Sequence, residues 1–229
     1  MSFKNFIKEV RGVERVEGEL VRTILYSLVT SFVILGLLYF IKFRNVVDFM
    51  PKYGFFLFFA SLTYSLLFGA FRQVRAYVEL TCMGGMMVGM TFGMIAGFLS
   101  GFLMASTNGM FVGSVFGMGL GIIMGIWTGK CCGVMGVMEG IMAGFMGGLM
   151  GAMTAFMLFN DHLKTTLVIV FVICTFIIFG LNYMIYKEMS TEGRRKKEDY
   201  FLTIILTIIF ISLTAALMIF GPRTGVFAG

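Results

Sequence analysis

The chain has 229 residues, of which 59% are hydrophobic and 13% charged, and its formal charge is +6. Charge at about half the level of an ordinary soluble domain, set between long apolar runs, excludes a soluble globular fold. The basic excess flanks apolar segments, which makes it a topology signal at helix ends and excludes a nucleic-acid partner.

In chain order, residues 1–22 contain SFKNFIKEVRGVERVEGEL, which places Phe3, Phe6, Ile7, Val10, Val13, Val16 and Leu20 mostly on one helical face. This predicts an amphipathic helix lying along the cytoplasmic membrane surface or docked against the chain's own loops. The first apolar run is too long for a signal-peptide core and lacks a small-residue cleavage site, so no removal is expected. Residues 23–221 then read as a single all-α transmembrane domain, and 222–229 as a short tail. Apolar windows at 21–43, 53–71, 80–105, 109–129, 132–159, 165–187 and 200–221 predict about seven transmembrane helices. Pro51 and Pro222 fall at expected helix ends, where a missing backbone donor costs little.

Lysine and arginine resist translocation, so their distribution among alternate connections sets orientation. Lys4, Lys8, Arg11, Arg15, Arg22, Arg72, Arg75, Lys130, Lys187, Arg194, Arg195, Lys196 and Lys197 gather on one side. Lys42, Arg44, Lys52, Lys164 and Arg223 fall on the other. The imbalance predicts a multi-pass protein of the cell membrane with its N-terminus in the cytoplasm and its C-terminus outside.

Spans three to five carry glycine at every fourth position: Gly85 to Gly101, Gly109 to Gly129, and Gly136 to Gly148. Lipid gives no hydrophobic drive to helix association, so side-chain-free stripes are what let helices approach closely. Short connections make the three helices antiparallel neighbours. The expectation is a glycine-zipper core ringed by spans one, two, six and seven. Phe55, Phe56, Phe58, Phe59, Phe68 and Phe71 of span two are expected to face lipid. Spans three and five also resemble each other, consistent either with an internal repeat or with shared low-complexity composition.

The same helices hold most of the 21 methionines. In span five, Met135, Glu139, Met142 and Met146 lie within about 60° on a helical wheel, away from the glycine line. Span three repeats the pattern with Cys82, Met86, Met90 and Met94. Cys131 and Cys132 stand at the start of span five, on the same expected side as Cys82, where they persist as thiols. Thiolates and thioethers are soft ligands that prefer Cu(I), so a cysteine cluster leading into methionine columns predicts a path for a soft cation. Taken singly, a methionine fills gaps beside glycine and a cysteine is a small hydrophobe. Glu139, an ionisable group inside a span, marks either a polar cavity or a structural pairing with Lys130 or Arg75. His162 follows Asn160 and Asp161 at the outer end of span five and reads as a helix-end cap.

The MxxxM spacing on GxxxG helices resembles eukaryotic copper uptake channels, and the CC pair near a membrane end is similar to bacterial mercury importers; each resemblance covers a few residues. It implies transport or homeostasis of a soft metal through a Met/Cys-lined helical core, with no required cofactor. The alternative is a structural or assembly subunit packing through its glycine-rich helices, as a homo-oligomer or in a larger membrane complex. One histidine and no nucleophile paired with a base argue against an enzyme. A thiol relay would require Cys82 to pair with Cys131 or Cys132.

Overall fold

The computed structural model describes residues 16–41, 53–76, 82–130, 133–189 and 200–221. Among these the regular structure is helical: α1 (Val16–Ile41), α2 (Phe55–Ala76), α3 (Cys82–Asn108), α4 (Met110–Gly129), α5 (Gly133–Met157), α6 (Leu163–Met189) and α7 (Tyr200–Phe220). Hydroxyls inside these apolar helices donate to a carbonyl one turn back, as Thr63 does to Phe59, Ser100 to Ala96 and Thr128 to Met124. Polar side chains thereby stay satisfied without water.

Among the described residues, five segments are long and apolar enough to cross a membrane: Phe55–Arg72, Met83–Asn108, Met110–Gly129, Gly133–Met157 and Leu163–Ile185. Thr23–Leu37 and Ile204–Ile219 are apolar but shorter. Length and composition thus make this a multi-pass membrane protein. The expected surface helix lies, through residue 15, outside the described residues. Helix α1, described from Val16, runs unbroken into the first expected span.

Contacts divide the chain into two compact units, one comprising α1, α2 and α7 through Ala216, the other α3 to α6 and the chain from Leu217. In the first unit the helices are joined by side-chain hydrogen bonds. Ser65 Oγ donates to the Ile24 carbonyl at 2.7 Å, Arg72 Nη1 to Thr23 Oγ1 at 2.6 Å, and Ser27 and Thr207 hydroxyls meet at 3.2 Å. The Tyr64 and Phe68 rings pack on Phe210 at 6.2 and 5.6 Å, and the Tyr64 hydroxyl pairs with Thr214. The expected lipid-facing phenylalanines of span two are corrected here. Phe56, Phe59, Phe68 and Phe71 are buried, and only Phe58 of the six is exposed. The hydrophobic count cannot tell lipid from protein as the apolar partner, since each accepts a phenyl ring equally well.

The second unit is organised by backbone contact. Each of α3, α4 and α5 packs along both of the others. Gly89 meets Gly129 and Gly136; Gly93 meets Gly125, Gly140 and Gly144; Gly97 meets Gly117, Gly144 and Gly148; Gly101 meets Gly148 and Ala152. The pairs 89/136, 93/140, 97/144 and 101/148 keep one offset, so α3 and α5 run parallel, and α4 runs against both. A Cβ on Gly97 would stand 2.8 Å from the Gly144 carbonyl oxygen, and one on Gly117 would stand 2.7 Å from Gly101 Cα. Both distances are too short for a side chain. Gly109 forms the one-residue break between α3 and α4 at φ 107°, a conformation suited to glycine.

These contacts distinguish two glycines two residues apart on α4. A Cβ on Gly117 meets backbone, whereas one on Gly119 meets nothing within 4 Å. Gly117→Ala should lower the thermal unfolding midpoint in detergent by the equivalent of about 1–3 kcal/mol. Gly119→Ala should hold it or raise it by up to about 1 kcal/mol through helix propensity.

Candidate functional site: the methionine face of α3 and α5

Phe92, Leu99, Phe102 and Leu103 of α3 are buried, whereas four of its methionines and all those of α5 are exposed. On α3, Met83, Met87, Met90 and Met94 form one exposed stripe. On α5, Met135, Met138, Met142, Met146, Met150 and Met153 are all exposed. The two stripes lie on neighbouring helices: a Cβ on Gly147 would touch the Met94 backbone, and one on Gly151 the Phe98 backbone. The parallel register sets Met90 at the level of Ala143 and Met94 at that of Gly147, beside Met142 and Met146. Thioethers from both helices therefore share one side of the unit.

The exposed thioethers of these two stripes lie on the outer surface of the trio. Met90 is 51% exposed and Met142 61%, while the space between the helices is filled by glycine backbone. On α5 the methionines lie opposite the glycines that contact neighbouring backbone, whereas on α3 they lie beside the glycine stripe and the opposite side carries the buried Val88, Ile95, Leu99 and Phe102. Met86 is partly buried. Of Cys82 only the backbone is described, and Cys131 and Cys132 lie outside the described residues. The cysteine cluster and the thiol-relay pairing therefore lie outside what the structure describes. No group of three or more His, Cys, Asp or Glu capable of holding a metal occurs among the described residues.

Glu139 is partly exposed, one residue before Gly140, and it shares its side of α5 with Met135, Met142 and Met146. Lys130, one of the two partners considered for it, is exposed, and no ion pair joins the two; the side chain of Arg75, the other, lies outside the described residues. His162 caps α6: its carbonyl accepts from the Thr166 N–H at 3.1 Å, and its Nε2 lies 3.8 Å from Asp161 Oδ1, both side chains being largely exposed.

The exposed face of α6 offers an internal comparison. It is built from Val168, Ile169, Val172, Ile173, Phe176 and Ile177, the composition of a surface covered by acyl chains. The face of α3 and α5 is as exposed and as apolar yet rich in thioethers, with Val134, Phe145 and Phe156 also exposed on α5 and one partly exposed carboxyl group.

Sequence reasoning missed several buried polar groups. Thr23, Ser27 and Ser31 recur every four residues in α1 and are buried, as are Arg72 and Thr207; the four-residue spacing was the available signal. Asn108 is buried and donates through Nδ2 to the Leu217 carbonyl at 2.6 Å, while its Oδ1 and that of Asn182 have no hydrogen-bond partner. Neither amide carried any periodic signal.

The outward placement has a direct consequence for stability. Met124 on α4 is 1% exposed, whereas Met142 and Met146 are 61% and 55% exposed. Met124→Ala should cost about 2–5 kcal/mol. Met142→Leu with Met146→Leu should cost under about 1.5 kcal/mol, read as unfolding midpoints in the same detergent. Comparison of the chain with known protein families, curated proteins and solved structures finds no match.

Proposed function

We propose that the protein is a membrane-embedded assembly subunit of seven spans, in which a glycine-zipper trio is a rigid platform presenting Met90 and Met94 of α3 and the methionine face of α5 to other transmembrane helices. The contrast between that face and the valine, isoleucine and phenylalanine surface of α6 supports this reading. Unbranched, polarisable methionine adapts its shape to a partner, and it is used at surfaces that must repack against one. Glu139 favours a protein neighbour over lipid, since a carboxylate facing acyl chains is costly. In this arrangement Thr23–Leu37 and Ile204–Ile219 belong to the first and seventh spans, and the distribution of basic residues sets the N-terminus in the cytoplasm.

Site-specific photo-crosslinking in native membranes tests it. A benzophenone amino acid at Met142 should yield a discrete protein adduct, while the same group at Ile173 on α6 should yield lipid adducts alone. Lipid adducts at both positions would sink the assembly reading.

One observation favours a second reading, namely that Met135, Met142 and Met146 share their side of α5 with Glu139. Thioethers beside a carboxylate form a donor set for a soft cation such as Cu(I), completed where this face meets its partner. Anaerobic Cu(I) titration against a competing chelator should give saturable binding. Affinity should fall at least tenfold in Met142→Leu with Met146→Leu. Chelator competition curves unchanged by that double substitution would remove the metal reading and leave the assembly reading standing.

A further inference from the structure

At the Met83 end of the α3 stripe a cleft of about 380 Å³ opens toward α6, lined by Met83, Gly84, Met87, Met184 and Lys187. Its size lies in the range of small-ligand clefts. The walls are thioether and glycine, without a β-branched side chain to stiffen them. Lys187, exposed in the last turn of α6, places a single cation at the apolar cleft's edge. Met83 and Gly84 belong to the first turn of α3, so the cleft sits where helices end and the hydrocarbon of a bilayer gives way to its headgroups. A lysine stem lying along an apolar wall with its ammonium toward the headgroup layer suits a ligand that is apolar below and anionic above.

We infer that this cleft is a binding site for an anionic phospholipid, its acyl chain against Met83, Met87 and Met184 and its phosphate on the Lys187 ammonium. Three donors on one freely rotating ammonium suit the several acceptor oxygens of a phosphate. A zwitterionic lipid fills the same apolar walls but brings its own cation to Lys187. The selectivity therefore comes from headgroup charge, and the residence from the methionine walls.

The test uses the full chain in nanodiscs of mixed phosphatidylglycerol and phosphatidylcholine, with retained lipid read by native mass spectrometry after release into mild detergent. The wild type should retain phosphatidylglycerol over phosphatidylcholine about fivefold beyond their bulk ratio, the equivalent of the roughly 1 kcal/mol one interfacial lysine contributes. The preference should vanish in Lys187→Gln and persist in Lys187→Arg. Total retained lipid should fall in Met87→Trp, which fills the cleft from an exposed position. Equal retention of both lipids by the wild type would overturn the proposal. So would an undiminished preference in Lys187→Gln, which would assign it to the nearby GRRKK sequence. Displacement by millimolar inorganic phosphate would also overturn it, by showing a site for free anion.

Discussion

Contact between glycine backbones is the constraint on which the second unit depends. Three helices approach until the carbonyl of one lies against the Cα of the next, at four successive levels from Gly89 to Gly101. In a bilayer this association gains nothing from expelling water; it rests on dispersion between closely fitted backbones and on weak CαH to carbonyl bonds. Each contact is small, but the fourfold repetition fixes register, direction and spacing together. It also fills the space between the helices with main chain, so the trio is a solid element.

The position of the sulfurs on α5 follows from that. A helix that commits one stripe to backbone contact must direct its bulk elsewhere; on α5 that bulk is mostly methionine, and on α3 it is a buried set including Phe92, Leu99 and Phe102 beside an exposed methionine stripe. The neighbouring surface of α6 shows what the same protein uses where branched and aromatic apolar side chains suffice. Choosing unbranched thioethers on one pair of parallel helices, and setting Glu139 among them, gives that side of the molecule adaptability and a carboxyl group. Both properties concern what lies next to the face.

The first unit is held together by different chemistry. There α1, α2 and α7 are tied by Ser27 to Thr207, Ser65 to Ile24, Arg72 to Thr23, and the ring cluster of Tyr64, Phe68 and Phe210. Hydroxyl bonds between membrane helices are individually modest, about 0.6 kcal/mol on average. Their directionality sets rotation about each helix axis, which apolar packing alone leaves loose. The two units thus solve the same problem, association without a hydrophobic drive, by side-chain hydrogen bonds in one case and by the removal of side chains in the other.

The sequence by itself determined the helices and the fourfold glycine periodicity of three of them. Apolar length and the absence of internal proline dictate helix, because a chain in hydrocarbon must satisfy its own backbone, and glycine at every fourth position has one use when side chains are the obstacle. The sequence could also place Met135, Glu139, Met142 and Met146 on one side of α5, since helical geometry alone sets that. It could not decide which way that side points. An outward methionine and an inward one have the same hydropathy, just as the phenylalanines of α2 look alike whether their neighbour is an acyl chain or another helix. Only the tertiary structure settled these directions, because burial in a membrane protein is a property of the space between helices, and that space is set by whichever side chains are absent from it.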